Sequence, residues 1–498
     1  MQGFKPSLSK VFAKRIRKNI LKWSNSPFKS QEKVFQSLLK NGKKTVFGKQ
    51  HSFDTISSHE DFIKKVPIRD YEELKPYIDR VVAGEENILW PGLPLYFAKT
   101  SGTTSGAKYI PLTKKSLKNQ IEAARNALLN YIAVSGKSNF TDGKMIFLQG
   151  SPTLNHDHKV PSGRLSGIVA HYVPKYLQKN RLPSLETNCI EDWETKVAAV
   201  VEETLPQDMR LISGIPSWVQ MYFEKLKEES GGQKIMDIFP NFDLFVYGGV
   251  NYEPYRQKFE DLIGKRVDSI ELFPASEGFF AFQDRPNEKG MLLLVDGGIF
   301  YEFVPAGEIF NDNPTRLSLE QVEMNVDYAL IISTNAGLWA YNIGDTVRFI
   351  SKEPYRVVVS GRIKHFTSAF GEHVIAYEVE EALRRTVEKY PAQINEFHVA
   401  PEVNPTEGLP YHEWLIEFEE FPQEMDLFKA SLDFEMQQLN PYYKDLLDGN
   451  ILKPIVVHPL KKGHFNLYMD SIGKLGGQNK VPRLADNRKL ADAIKAFQ

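Results

Sequence analysis

LYFAKTSGTTSGAKYIPLTKKS, Leu95 to Ser116, is the stretch on which the fold turns. A short apolar run, Leu95 to Ala98, reads as a strand and leads into TSGTTSGAK, Thr100 to Lys108, a segment rich in Gly, Ser and Thr. Beyond Thr113, a residue suited to capping, Leu117, Ile121, Ala124, Leu128 and Ile132 recur at three- and four-residue steps, which predicts a helix. A small-residue loop between a strand and a helix can wrap backbone N–H groups, hydroxyls and a terminal cation, Lys108, around a polyphosphate. Gly102 and Gly106 lack the Walker spacing and the Lys-Ser/Thr pair is missing, which counts against a P-loop. A polar turn with no ligand would have the same composition.

Working outward, the chain up to about residue 90 has a helical pattern, broken by an extended stretch at Val66, Pro67 and Ile68. Downstream, Met145 to Leu148, Phe242 to Tyr247, Met291 to Val295, Tyr328 to Ser333 and Tyr355 to Ser360 read as strands. Helical patterns at Glu191 to Leu205 and Trp218 to Glu229 lie between them, and the alternation predicts a layered α/β architecture. The best boundary falls near Gly361, giving a large domain over 1–360 and a smaller one over 361–498 with a hinge near 361–366. The smaller part reads as a helix from Ala376 to Lys389, a strand from Trp414 to Phe418, a helix from Glu424 to Leu439 and an irregular tail from Ile472 to Leu484.

With 498 residues, 42% hydrophobic and 25% charged, the composition is that of a soluble globular protein of two domains. The 62 basic and 63 acidic side chains nearly cancel, which argues against nucleic acid as the main ligand. Cys189 is the lone cysteine, so there is no internal disulfide and no Cys/His zinc spacing; a reducing cytoplasm is the expected home. No run approaches the ~20 apolar residues of a membrane span, and the N-terminus lacks a secretory stretch. Lys5 to Trp23 is basic with a helical apolar stripe at Val11, Phe12, Ile16, Ile20 and Leu21, expected to dock as a helix, a membrane surface being the alternative.

Five further segments hold chemically useful residues. ELFPASEG, Glu271 to Gly278, sets Glu277 after a strand end, where open α/β sheets place ligands and where a magnesium ion would need oxygen; a surface turn would look alike. Gly248 and Gly249 follow a strand ending at Tyr247, where missing side chains would let a flat base lie against backbone. In YNIGDTVRF, Tyr341 to Phe349, Asp345 precedes a strand-like stretch and can accept both hydroxyls of a ribose, or simply cap its own turn. VSGRIKHF, Val359 to Phe366, puts Arg362 and Lys364 at the boundary, and GGQNKVPRL, Gly476 to Leu484, offers Lys480 in a loop suited to delivering one positive charge. His156 and His158 around Asp157 read as a polar loop, a metal site being the alternative with no third ligand evident; no general base for the amine stands out, and Glu372 and His373 near the hinge could serve or be simply packed or solvated.

In their joint order along nearly the whole chain, these segments resemble the acyl-adenylate-forming superfamily. Within it the sequence is similar to the Gretchen-Hagen acyl-acid amido synthetases of the auxin-responsive type. The resemblance rests on TSGTTSGAK, GGVNYEPYR at Gly248 to Arg256, ELFPASEG, GLWAYNIGDTVRF at Gly337 to Phe349, GRIKHFTSAFGE at Gly361 to Glu372 and QNKVPR at Gln478 to Arg483; SGIPSWVQMYFEKL, Ser213 to Leu226, also looks like the amido-synthetase branch. It implies a large multi-sheet α/β domain with a smaller mobile α/β domain. It implies ATP phosphates held by Ser101, Thr103, Thr104 and Ser105, with Gly102 and Lys108 in the same loop. Glu277 would meet magnesium or its phosphates, while Gly248, Gly249, Phe273, Ser276, Asp345 and Arg362 would surround adenine and ribose. Phe273 stands where many relatives carry Tyr. Lys364 would be the hinge, and Lys480 would contact the reacting carboxylate and α-phosphate.

The implied activity is ATP- and magnesium-dependent adenylation of a small carboxylic acid, then transfer of the acyl group to an amino acid. QNKVPR in place of the extended lysine loop of CoA ligases tilts the acceptor towards an amine and away from CoA. An acyl-CoA ligase sharing the first step and a non-catalytic nucleotide-binding protein of the same fold are the alternatives.

Overall fold

The helix expected after Thr113 runs from Lys114 to Ser135 in the computed structural model of the chain, which describes residues 4–100, 108–172, 178–190, 193–249, 252–253, 256–363, 366–367, 374–402, 405–448, 452–473, 481–485 and 487–497. Thr113 and Ser116 form a reciprocal capping box, and Gly136 at φ +74° ends the helix. One expectation fails just before it. Lys108–Leu112 is a strand, antiparallel to Tyr96–Thr100 with Tyr96 opposite Leu112, so the Gly/Ser/Thr segment joins two strands and not a strand and a helix. Ile110, Pro111 and Leu112 are all buried, a continuous run and not an alternating one, and the proline within it hid the strand from a helix-oriented reading.

The basic N-terminal segment docks as the helix Phe4–Ser24 on Lys114–Ser135. Ala13 packs with Tyr131 and Ile132, and Ile20 packs with Ala123 and Ala127, whose small side chains let the helix come close. The apolar stripe is therefore corrected: Val11, Phe12 and Leu21 are exposed at 67%, 53% and 42%. Arg17 donates to Asn130 Oδ1 at 2.9 Å, and Asn130 in turn donates to the Asp284 carbonyl at 2.8 Å, tying helix to helix to sheet.

Eleven strands form the main sheet among the described residues. Arg181–Leu182, Lys144–Phe147, Met209–Ser213, Leu244–Gly248 and Asp268–Ala275 are neighbours in that order and all parallel. Parallel neighbours need crossovers, and Pro216–Glu229 supplies one: Val219, Tyr222, Phe223 and Leu226 recur at helical spacing and are all fully buried. Gly278–Phe282 then turns back antiparallel, followed by Met291–Leu293, Tyr355–Arg362, Tyr341–Lys352, Asp327–Thr334 and Ile299–Pro305 at the far edge.

The chain divides into two compact units. One is Met1–Asn251, Phe259–Ile343 and Arg348–Val358; the other is Tyr252–Lys258, Gly344–Val347 and Val359–Gln498. In the second, Gln393–Glu402 pairs antiparallel with Tyr411–Glu420, which pairs parallel with Val456–Leu460. The helices Ala376–Lys389 and Met425–Leu439 cover that sheet through Val379, Leu383, Phe428 and Leu432 against Phe397, Trp414 and Ile416. The end of the tail is not irregular. Leu484 is fully buried and bridges Val399, with Val399 N–H donating to Arg483 O and Ala485 N–H to Val399 O, both at 2.9 Å. Arg483 also donates to Glu380 at 3.0 Å and Glu396 at 3.3 Å, so a short strand-like segment is bolted on just past residue 480. Lys480 itself lies outside the described residues.

Candidate functional site

Because the parallel strands run the same way, their carboxyl ends line up, and that row is where open α/β sheets take ligands. Leu148 N–H donates to Ser213 O at 2.8 Å and Gly214 N–H to Val246 O at 3.1 Å, so the strand ends stay in register up to the edge. Gly248 closes its strand opposite Leu272; a Cβ there would sit 2.5 Å from the Leu272 carbonyl oxygen. Gly249 follows at φ +76°, a left-handed conformation that glycine adopts without strain. Gly248→Ala is accordingly expected to push two neighbouring strands apart and cost about 1–3 kcal/mol, read by chemical denaturation against the parent protein.

Ala275 pairs with Gly278, so Ser276 and Glu277 are the two corner residues of a tight hairpin at that same edge. The corner is braced from below by Gln120 Nε2, which donates to the Ala275 carbonyl at 2.8 Å. Beside Glu277 a depression is lined by Ser116, Asn119, Thr334 and Asn335. Thr113 Oγ1 donates to the Asn335 carbonyl at 2.9 Å, and Asn119 Nδ2 donates to the Gly297 carbonyl, so the start of the helix Lys114–Ser135 is locked to this corner. These polar residues went unnoticed in the sequence, since Ser116 and Asn335 are brought together only by the sheet. A hydroxyl or amide every few residues is too common to be a signal.

The other candidates are placed as follows. Phe273 is buried and packs edge-to-face on Phe280, ring centroids 5.0 Å apart. Lys108 begins its strand with its ammonium 5.4 Å from the Tyr71 ring centre. Asp345 lies inside the strand Tyr341–Lys352, and not before a strand as expected; it is 9% exposed, follows Gly344 at φ +86° and belongs to the second unit. Next to it Ser360 Oγ donates to Thr346 Oγ1 at 3.0 Å, joining the strands that carry Asp345 and Arg362. Arg362 is the last residue of Tyr355–Arg362, and its side chain is not described. Ser101, Gly102, Thr103, Thr104, Ser105, Lys364, Glu372, His373 and Lys480 lie outside the described residues. The structure thus gathers Gly248, Gly249, Ser276 and Glu277 at one edge of the first unit.

Among the described residues no group of three or more His, Cys, Asp or Glu could hold a metal ion by itself, and His156 and His158 sit on an exposed loop. A single carboxylate at the corner suits magnesium, which keeps waters and takes much of its coordination from substrate phosphates. Glu277 fits that donor set.

Comparison with known proteins follows the same outline. The sequence matches the GH3 family N-terminal domain over residues 16–184, the GH3 family central domain over 292–362 and the GH3 family C-terminal domain over 377–489. It is 23% identical to the indole-3-acetic acid-amido synthetase GH3.4 of Arabidopsis thaliana over 98% of this chain and 94% of that protein. It is 20% identical to the jasmonoyl–L-amino acid synthetase JAR4 of Nicotiana attenuata, a match spanning 64% of this chain and 66% of that one. Among solved structures, the AtGH3.15 acyl acid amido synthetase in complex with 2,4-DB superposes with a TM-score of 0.79 at 16% identity, covering 100% of this chain and 97% of that one. A 2-hydroxyisobutyryl-CoA ligase in complex with 2-HIB-AMP gives 0.60 at 12% identity, covering 95% and 91%. These likenesses bear out the α/β adenylate-forming fold. No helix among the described residues is long and apolar enough to cross a membrane.

Proposed function

The chain belongs to the GH3 family, and on that premise we propose that it joins a small carboxylic acid to an amino acid through an acyl-adenylate made from ATP. The observation that carries this reading is the corner Ser276-Glu277 beside Gly248 and Gly249 at the carboxyl edge of a parallel sheet. Bare backbone there suits a flat base, and a carboxylate suits a phosphate-bound cation.

In the first step a carboxylate oxygen attacks the α-phosphorus in line, the bond to pyrophosphate breaks, and charge must be neutralised on both sides. Magnesium, when bound, would supply part of that neutralisation. Glu277 would hold the cation with its phosphates, Ser101, Thr103, Thr104 and Ser105 would donate to the phosphate oxygens, and Asp345 with Arg362 would hold the ribose. Lys480 would meet the charge that builds on the α-phosphate and keep the attacking carboxylate close to it. In the second step the amine nitrogen attacks the acyl carbonyl, the bond to AMP breaks, and the nitrogen gives up a proton. A swing of the small domain about Lys364 would remove Lys480 and admit the amine.

Arg483 acts here as a positioning residue, because its two carboxylate partners fix the strand-like segment that ends the Lys480 loop. Arg483→Met is expected to lower kcat for adenylation about tenfold with little change in the KM for ATP, and to speed hydrogen exchange at the Val399 and Ala485 amides. Unchanged exchange together with unchanged kcat would remove the role.

The deciding experiment is a two-way screen of carboxylic acids against amino acids and CoA, reading pyrophosphate release and product mass. Acid-dependent pyrophosphate with an amide product is the expected result. A thioester product would assign an acyl-CoA ligase, and no pyrophosphate with any acid would leave a nucleotide-binding protein without turnover.

A further inference from the structure

Beyond the strand Lys144–Phe147, residues Leu148–Gly150 gather a polar cluster that the proposed adenylation chemistry leaves unused. Lys196, on the helix Trp193–Thr204, is 4% exposed and donates to the carbonyls of Gln149 at 3.0 Å and Asn188 at 2.7 Å. Arg164 is half-buried against Gly150: a Cβ on that glycine would lie 2.5 Å from Arg164 Cδ and 3.0 Å from Nη1. Neither cation has a carboxylate partner among the described residues, and the two are close enough to repel. Burial first, and then the charge of Arg164, push the Lys196 ammonium down to about 8. The amide nitrogen of Gln149 is shut off from water and donates to nothing among the described residues. A buried ammonium held only by neutral carbonyls, a second cation near it and a buried donor without an acceptor are each costly, and one anion placed among them relieves all three.

We propose that Arg164, Lys196 and the Gln149 amide form a binding site for a carboxylate group of a substrate. The proposal rests on the adenylation reading for the identity of that substrate. The cluster lies two strands from Gly248 in the order Leu244–Gly248, Met209–Ser213, Lys144–Phe147. At about 4.8 Å per strand that is about 10 Å along the row of strand ends from the corner proposed for the base, so the cluster stands clear of the adenine. The expected group is a second carboxylate at the far end of the acid being activated; the carboxylate of the acceptor amino acid is the other source.

The test compares the parent protein with Arg164→Gln and Lys196→Met on pairs of acids of equal length, hexanoate against adipate and benzoate against terephthalate. A second arm compares amino acids with their α-amides as acceptors. A charge-assisted contact predicts a kcat/KM preference of about tenfold or more for the dicarboxylate in the parent protein, carried by KM and collapsing in both variants. Collapse of a preference for free amino acids over their amides would equally support the site and assign the carboxylate to the acceptor. If the parent shows neither preference, or the variants keep it, the site is overturned. Should no acid elicit pyrophosphate, the adenylation reading fails by itself. Protection of the parent but not of Arg164→Gln against thermal unfolding by adipate would then still support the site, and equal protection would overturn it.

Discussion

Lys480→Ala is expected to slow acid-dependent ATP–pyrophosphate exchange by about 100- to 1000-fold, the scale on which removing one preorganised donor from a developing oxyanion acts. The physical reason is that a carboxylate and a triphosphate repel, so the charge opposing them must arrive with the geometry of attack already set. Lys480 is three residues from Arg483, whose guanidinium is held by Glu380 and Glu396, and four from the buried Leu484. Acyl transfer from an added, pre-formed acyl-adenylate is expected to survive in the variant, because the proposed swing of the small domain takes Lys480 away before the amine attacks. Single-turnover assays of the two half-reactions separate these outcomes, and exchange at the parent rate would end the assignment of Lys480 to the first step.

Glu302→Ala is expected to destabilise the protein by about 3–5 kcal/mol, the cost of leaving a buried charge without its partner. Glu302, on the edge strand Ile299–Pro305, is fully buried and binds Arg316 through both oxygens, at 2.9 and 2.7 Å. His59 lies 2.8 Å from the same carboxylate, and Arg316 reaches on to the Val66 carbonyl at 2.5 Å. The cluster thus fastens the N-terminal helices to the edge of the sheet, and its removal strands Arg316 among Phe62 and its neighbours. Glu302→Ala with Arg316→Met is expected to recover much of the loss, since neither charge then remains. Burial alone would raise the Glu302 carboxyl, but Arg316 and His59 more than offset it and hold it below the ordinary glutamate value of 4.5. A lowered carboxyl stabilises the fold above that value and stops doing so as pH falls through the folded-state value. Urea midpoints measured from pH 6 down to pH 3 should fall more steeply for the parent than for the double variant; parallel curves would show that the cluster contributes no acid sensitivity.

Much of the architecture was legible because it is periodic. The helix after Thr113 announced itself through apolar residues at three- and four-residue steps and a capping threonine, and Ala376–Lys389 did so in the same way. The glycines of Gly248-Gly249 and the run ELFPASEG were legible as strand ends, since an apolar strand followed by small or acidic residues has few other uses in an α/β chain. Lys108–Leu112 was missed because a proline sits within its buried run, and the edge role of Arg483–Ala485 was missed because one partner strand, not local pattern, decides it.

From its residues alone, then, the chain determined an α/β class and a carboxylate at a strand end, for these depend on spacings of a few residues and on side-chain chemistry. Only the folded chain decided which distant residues share a corner. Ser116, Asn119 and Asn335 line the depression beside Glu277, and Arg164 and Lys196 both come to the segment Leu148–Gly150, because strand order and helix packing bring together positions that no local spacing links. Burial decided the rest: the same glutamate is a solvated charge on a surface and a structural clamp at Glu302, and sequence carries the charge but not the water around it.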